Sequence, residues 1–440
     1  MLNVETFSRC LQTLALPTPL WVAYSGGMDS HVLLHVVSRV REQQPNLELC
    51  AIHVNHGLSE RAGMWQAHCQ QVCQTLAIKY VTKNLAVLPS ANTEAAARQA
   101  RYRVFEACLS VGGSLLTAHH QDDQAETLLL RMLRGAGEKG LAGIPQQRSL
   151  GQGRLVRPLL AFSREQLHQY AEQHQLQWIE DESNQRTHFE RNYLRQQIFP
   201  LLETRWPSVK TTFAQACAQH QENHQLLEKL AADDWRQAIG SKEDTLSIQA
   251  LHRLNDARQR NLLRFWLDQQ GFIAPSRQQL QQLQQTCLYS QPAAMPLVCW
   301  ADVEVRRFQD NLYAMTALQY HDLKQRLVWQ DRKQALQLPA GLGQLSSVVL
   351  NVFGINTATL AEVSIGFRQG GERLKLPGRS HSQSLKKLLH AWEVPPWLRD
   401  RVPLIYIDGR LIGVAWEPLI KQLTGHSNNT SNYSPIVNSQ

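Results

Sequence analysis

Short apolar runs alternate with amphipathic stretches over the first two hundred residues. Residues 20–24 (LWVAY) form an apolar run that meets a Gly pair, and a helical pattern follows over 29–41. A second apolar run at 47–54 precedes a helical stretch over about 60–76, and 80–85 is a weaker third strand. Thr93 reads as the N-cap of a helix over 94–109; residues 114–117 are another strand and 122–134 another helix. In that helix Ala125, Leu128, Leu129, Met132 and Leu133 recur at helical spacing, which predicts one buried face. An apolar run at 155–160 and a helix capped by Ser163 close the series. Strand–helix alternation of this kind predicts an α/β fold with a Rossmann-like, doubly wound parallel sheet.

The pattern then changes. Residues 205–290 are rich in Gln and Leu with few strand signals, which predicts helices. Residues 297–315 alternate like a hairpin, with Asp310-Asn311 at the turn. Strand signals return at 347–352, 404–407 and 411–415, around a basic stretch. The expected organisation is a catalytic domain over 1–205, a mainly helical domain over 206–325, and a small α+β domain over 335–430 with a loose polar tail.

Composition narrows the class. Hydrophobic residues make up 43% and charged residues 19%, an ordinary globular mix. No apolar stretch is long enough to span a membrane. Glu5 stands where a signal peptide needs an apolar core, so a cytoplasmic location with eight reduced thiols is expected. The formal net charge is +8, and residues 367–401 hold eight basic against three acidic residues. Such clustering suits a polyanion such as RNA, with Arg368, Arg373, Lys386 and Lys387 as candidate contacts; a solvated basic face is the plain alternative.

Three polar clusters each follow an expected strand. The first is Ser25-Gly26-Gly27-Met28-Asp29-Ser30. Glycines at a strand-to-helix turn let backbone amides face an anion, and the helix dipole favours it. Asp29 adds a carboxylate, which suits Mg²⁺ or a cationic group. The Lys of a Walker A loop is absent, and so is GxGxxG, which disfavours kinase-type and dinucleotide-binding loops. The second cluster is His53-Val54-Asn55-His56-Gly57. The third runs from His119 and His120 through Asp122, Asp123 and Glu126. Helix-capping would explain one or two of these acids but not three with two His. A metal held by the His and Asp residues of these clusters is a further reading. Ligands in open α/β sheets bind at the carboxyl ends of strands, so the three clusters are expected to form one site. Arg98 and Arg101 lie one turn apart on a helix and suit phosphate contact, with a solvated Arg pair as the alternative. Residues 134–144 carry four glycines, which suggests a mobile loop able to cover a substrate.

SGGMDS resembles the loop of the pyrophosphate-loop (N-type) ATP pyrophosphatases. SGGMDS, HVNHGL, EAAARQARY, AHHQDDQAET, RGAGEKGLAGI, RPLL, DESN and RNYLR, in this order, resemble the bacterial tRNA(Ile)-lysidine synthetase family. The likeness is dense over residues 20–200 and resumes at FRQGGERL, SLKKLL and VPPWLRDRVPL, which resemble that family's C-terminal RNA-binding domain. The resemblance implies an enzyme that uses ATP and Mg²⁺ to adenylate the wobble cytidine of an isoleucine tRNA with a CAU anticodon. Free L-lysine then displaces AMP at C2. It implies that Ser25, Gly26, Gly27, Met28, Asp29, Ser30 and His53 hold the nucleotide and that Asp29 positions Mg²⁺. Asp123 and Glu126 would bind lysine or take its proton, His119 would stabilise the adenylated base, and Arg98, Arg101, Arg191 and Arg195 would hold phosphates. No membrane is implied, and the oligomeric state stays open, a homodimer included. Two alternatives are a tRNA thiolase of the same loop class, disfavoured because no CxxC occurs and Cys69 and Cys73 are spaced CxxxC, and a non-catalytic RNA-binding protein.

Overall fold

The computed structural model describes residues 1–416 apart from 45, 56–60, 86–92, 110, 181–189, 292–293, 354–360 and 377–380. Expectations for His56, Gly57, residues 181–184 and the tail therefore lie outside the described residues. The chain divides into two compact units, Met1–Leu227 and Glu228–Gln440.

In the first unit the order is α1 (Val4–Leu14), β1 (Leu20–Ala23), α2 (Met28–Gln43), β2 (Leu49–Asn55), α3 (Ala62–Thr75), β3 (Lys79–Asn84), α4 (Thr93–Cys108), β4 (Ser114–Leu116), α5 (Gln121–Leu133), α6 (Glu138–Leu141), β5 (Gln147–Leu150), β6 (Gly153–Val156) and α7 (Arg164–Gln173). After them come α8 (Glu190–Tyr193), a π-helical segment Leu194–Ile198, α9 (Phe199–Arg205) and α10 (Val209–Ala238), which continues past the end of the unit at Leu227. Among the described residues the sheet has the order β3-β2-β1-β4-β6-β5. All neighbours are parallel except the edge hairpin β5–β6. The doubly wound fold class is as expected, but the antiparallel edge is a correction, and the strand expected over 155–160 ends at Val156. Strand order reverses between β2-β1 and β4, so the crevice of the fold opens at the carboxyl ends of β1 and β4.

Alternation of side chains along β1 explains the layering. Leu20 and Val22 join one core with Phe7, Val32, Leu33, Val36 and Leu167. Trp21 and Ala23 pack on the other face with Phe105, Leu109, Leu115 and Leu155. The face expected on α5 is only half buried: Ala125 and Leu128 are inside, whereas Met132 and Leu133 are exposed.

Among its described residues the second unit holds three hydrophobic cores. One gathers Leu251, Leu262, Leu263, Trp266 and Leu283 from helices with Val298, Val305 and Leu312 from strands. Those strands include a hairpin of Val303–Phe308 and Asn311–Thr316. Asn311 pairs with Phe308, so the turn is Gln309-Asp310, one residue earlier than expected. Gln309 adopts φ +52° there. The last sheet joins Val363–Gly366, Leu404–Ile407 and Arg410–Val414. The strand expected at 347–352 is instead the helix Val348–Val352, whose Val349 and Leu350 are buried. A short apolar run cannot separate the two states by periodicity alone. Among the described residues no helix is long and apolar enough to cross a membrane.

Candidate active site

The chain leaves β1 through Tyr24, whose amide bonds to the Ile52 carbonyl at 2.9 Å. Gly26 has φ +88°, and a Cβ there would approach Ile179 Cδ1 to 2.9 Å and Cys69 Sγ to 3.0 Å. Glycine suits both that backbone and that space. Ser30 Oγ donates to the Gly27 carbonyl at 2.9 Å and accepts from the Ser25 amide at 3.2 Å, and it lies 3.0 Å from Ser25 Oγ. The hydroxyls brace the loop from within. Gly27 is the N-cap of α2 and makes no side-chain capping bond, an arrangement that leaves the helix N-terminus able to take an anion. Met28 opens α2 and is buried in the core behind it. His53, near the end of β2, donates from Nδ1 to the Tyr24 carbonyl at 2.9 Å, and burial lowers its pKa. It therefore fixes the backbone that enters the loop.

β4 delivers the second part. His119 Nδ1 lies 3.0 Å from Thr117 Oγ1, and burial lowers its pKa to about 4, so the ring is neutral near pH 7. His120 is 1% exposed and sits among three carboxylates: Nε2 is 3.6 Å from Asp29 Oδ2 and 3.5 Å from Asp123 Oδ2, and Nδ1 is 3.9 Å from Asp122 Oδ1. Burial opposes charge on this ring, but Asp123, Asp29 and Asp122 outweigh it and raise the pKa. Asp123 Oδ2 also accepts from the His120 amide at 3.0 Å, as an acid three residues into a helix can. His120 thus joins the acids of α5 to Asp29 of α2, a role the sequence left unassigned. The other oxygen of Asp29, Oδ1, is buried without a hydrogen-bond partner.

Arginines close the other side. Arg195 donates from Nε to Glu126 Oε1 at 2.7 Å and from Nη2 to Oε2 at 3.0 Å, and reaches Asp123 Oδ1 at 3.5 Å. Arg191 Nε is 3.2 Å from Glu126 Oε2, and its Nη2 donates to Thr127 Oγ1 at 2.8 Å. Burial raises the carboxyl of Glu126, and the two guanidiniums oppose that rise. Arg195 belongs to a π-helical segment, a local irregularity found often at functional sites. Asp122 is held apart from this group by Lys210 at 3.0 Å and by the Arg164 amide at 3.0 Å. Lys210 bonds in turn to Glu203 at 2.9 Å.

The first and third clusters therefore converge, and His53 of the second supports them. Arg98 is exposed on α4 and donates to Tyr102 at 3.4 Å, whereas Arg101 is half-buried and has a partner of its own. The glycine-rich segment 134–144 is fastened rather than open. Arg131 donates to the carbonyls of Gly140 and Gly143, both at 2.7 Å, and Gln124 exchanges two 2.7 Å hydrogen bonds with the Ile144 backbone. Among the described residues no three His, Cys, Asp or Glu side chains form a metal-binding group. Cys69 and Cys73 are buried thiols, pushed up to about 12 by burial, which suits packing and not sulfur transfer.

In the basic C-terminal stretch Lys386 and Lys387 are exposed on the helix Leu385–Ala391, whose Leu385, Leu388 and Leu389 are buried. Arg373 is exposed and donates to the Ser382 carbonyl at 2.8 Å. Arg368 pairs with Asp400 at 2.9 Å. The amides of Gln369 and Gly370 donate to the Glu372 carboxylate at 2.6 and 2.9 Å, so that turn already has its anion. Trp397 packs edge-on to Tyr313 at 5.5 Å and Phe308 at 6.2 Å, a core contact.

Three family descriptions match the sequence: a PP-loop domain over residues 5–202, a TilS substrate binding domain over 246–313, and a TilS substrate C-terminal domain over 363–428. The tRNA(Ile)-lysidine synthase of Coxiella burnetii is 41% identical over 413 residues, which are 93% of this chain and 91% of that protein. That of Legionella pneumophila strain Lens is 41% identical and covers 89% of each chain, and that of Serratia proteamaculans is 40% identical and covers 94% of each. A loop built to cradle an anion, acids from α2 and α5 joined by one histidine, and this likeness along nearly the whole length agree: the chain belongs to the tRNA(Ile)-lysidine synthase family.

Proposed function

We propose that this protein joins free L-lysine to C2 of the wobble cytidine of an isoleucine tRNA with a CAU anticodon, consuming ATP and releasing pyrophosphate and AMP. The reading is carried by the convergence of Asp29, His120, Asp123 and Glu126 beside a glycine loop at the sheet's crevice, in a chain of this family.

In this account the backbone of Gly26, Gly27 and Met28, with Ser25 and Ser30, holds the phosphates of ATP. Asp29 fits a Mg²⁺ ion carried in with the nucleotide: Oδ1 is a hard oxygen, buried and unpartnered. Mg²⁺ is commonly held by one or two carboxylates plus substrate phosphates, and when bound it neutralises charge on them. The oxygen on C2 of the cytidine attacks the α-phosphate and pyrophosphate leaves. The lysine amine then attacks C2, loses a proton, and AMP departs with the oxygen. Asp123 and Glu126 receive the lysine ammonium or that proton. Because Arg195 already covers both oxygens of Glu126, a lysine cation must compete with it there. Neutral His119 hydrogen-bonds the activated base in this reading. Incubating the protein with ATP, lysine and an isoleucine tRNA transcript, then weighing the wobble nucleotide, tests the reading. The mass should rise by that of lysine less water.

A further inference from the structure

Arg157 is 3% exposed, and a buried guanidinium ordinarily has a carboxylate beside it. Among the described residues Arg157 has none. Its Nη1 donates to the Pro145 carbonyl at 2.6 Å, and its Nε is buried with no hydrogen-bond partner. Its electrostatic neighbours are Tyr102 and two further arginines, Arg148 and Arg98. Both of these stack on the Tyr102 ring, Arg98 at 5.2 Å and Arg148 at 5.0 Å from its centroid. Arg98 Nη2 donates to the Tyr102 hydroxyl at 3.4 Å and Arg148 Nη1 to the Ser149 carbonyl at 3.4 Å, and Arg148 and Arg157 also hydrogen-bond the Tyr102 side chain. Burial opposes ionisation of that hydroxyl, yet Arg98, Arg157 and Arg148 outweigh it and hold its pKa below the ordinary value. Positive potential is concentrated at one point, with an unmet donor inside it.

We infer that Arg98, Arg148 and Arg157, gathered around Tyr102, form a second anion site that takes a backbone phosphate of the RNA substrate beside the reacting nucleotide. The inference rests on the function proposed above. Position selects RNA over ATP. Arg157 follows β6, which is separated from β1 and its glycine loop by β4. At about 4.8 Å per strand the two anion sites stand roughly 10 Å apart along the sheet edge. His119, at the end of β4, feels the charges of both Arg157 and Arg98, so the cluster borders the site of chemistry. Arg98 and Arg148 are exposed and Arg157 is buried, a gradient that suits a phosphodiester entering from solvent.

The test compares wild type with Arg98→Gln, Arg148→Gln and the double variant, whose sites are exposed and should not disturb folding. Binding of an unmodified isoleucine tRNA transcript is titrated at several salt concentrations, alongside ATP binding. The double variant should bind the transcript about tenfold or more weakly, with a salt slope shallower by about 0.7–0.9 per lost contact. ATP affinity should stay within twofold. Unchanged tRNA affinity and slope would overturn the inference alone, and a parallel loss of ATP affinity would assign the cluster to the nucleotide instead. Wild-type protein that joins no lysine to the tRNA would overturn the reading beneath it, and the inference with it.

Discussion

Arg195 grips Glu126 with two hydrogen bonds, at 2.7 and 3.0 Å, across 69 residues of chain. Removing one partner of a buried pair leaves the other uncompensated. Arg195→Gln should therefore lower stability by about 2 kcal/mol, seen as a reduced Tm. The double change Glu126→Gln/Arg195→Gln should recover part of that loss. Additive losses in the double variant would show that the two side chains do not depend on one another.

Asp29→Ala removes the unpartnered Oδ1 and the carboxylate facing His120. Turnover should fall by roughly 100-fold or more, the scale expected when a metal-assisted reaction loses its ligand. Circular dichroism should match wild type. A near-normal rate would return Asp29 to a helix-capping role.

Asp123→Asn and Glu126→Gln keep shape and remove charge. If these groups receive the lysine cation, the KM for lysine should rise by roughly tenfold or more while the KM for ATP changes little. A fall in kcat with both KM values unmoved would assign them to proton transfer.

The four basic candidates near the C-terminus should not respond alike. Charge reversal at Arg373, Lys386 and Lys387 should weaken tRNA binding and flatten its salt dependence, because all three are exposed. Reversal at Arg368 should also lower Tm, since it destroys the pair with Asp400. Binding and slope indifferent to the three exposed changes would mark the stretch as a solvated face.

Stability should depend on pH through His35, whose Nδ1 lies 3.0 Å from the buried Tyr170 hydroxyl. Burial first, then His174 and Arg39, lower its pKa to about 4. The unfolded chain takes up this proton near pH 6.5 and the folded chain does not, so the contribution is complete above about 6.5 and is lost as pH falls toward 4. Tm should drop from pH 7 to pH 5, with His35 supplying up to about 1.4 kcal/mol per pH unit. His35→Gln should flatten that fall; an identical profile in the variant would contradict the assignment.

The sheet and its crevice were legible because β1, β2 and β4 are apolar runs, each with a polar cluster at its end. Alternation implied a doubly wound parallel sheet, and the binding of ligands at the carboxyl ends of its strands put Asp29 and Asp123 in one expected site. The edge strand Gln147–Leu150 was not legible, because its first three residues are exposed and carry no apolar period. The helix Val348–Val352 reads as a strand for the opposite reason, being almost wholly apolar. His120 was visible as a residue but not as the bridge, since its partners come from two helices. The pairing of Arg191 and Arg195 with Glu126 was hidden by chain separation, and so was the meeting of Arg148 and Arg157 on Tyr102. Arginines near an expected nucleotide site suggest phosphate contacts; only the fold reveals that Arg191 and Arg195 hold an acid and that, among the described residues, Arg157 has none.

The most direct test of the central claim counts products per lysine. Purified protein, ATP labelled at the α-phosphate, labelled lysine and transcripts of the CAU-anticodon isoleucine and methionine tRNAs should give one AMP and one pyrophosphate for each lysine joined. Incorporation should be confined to the isoleucine transcript. Release of ADP and orthophosphate, or lysine-independent AMP with no lysine retained on the RNA, would contradict the account.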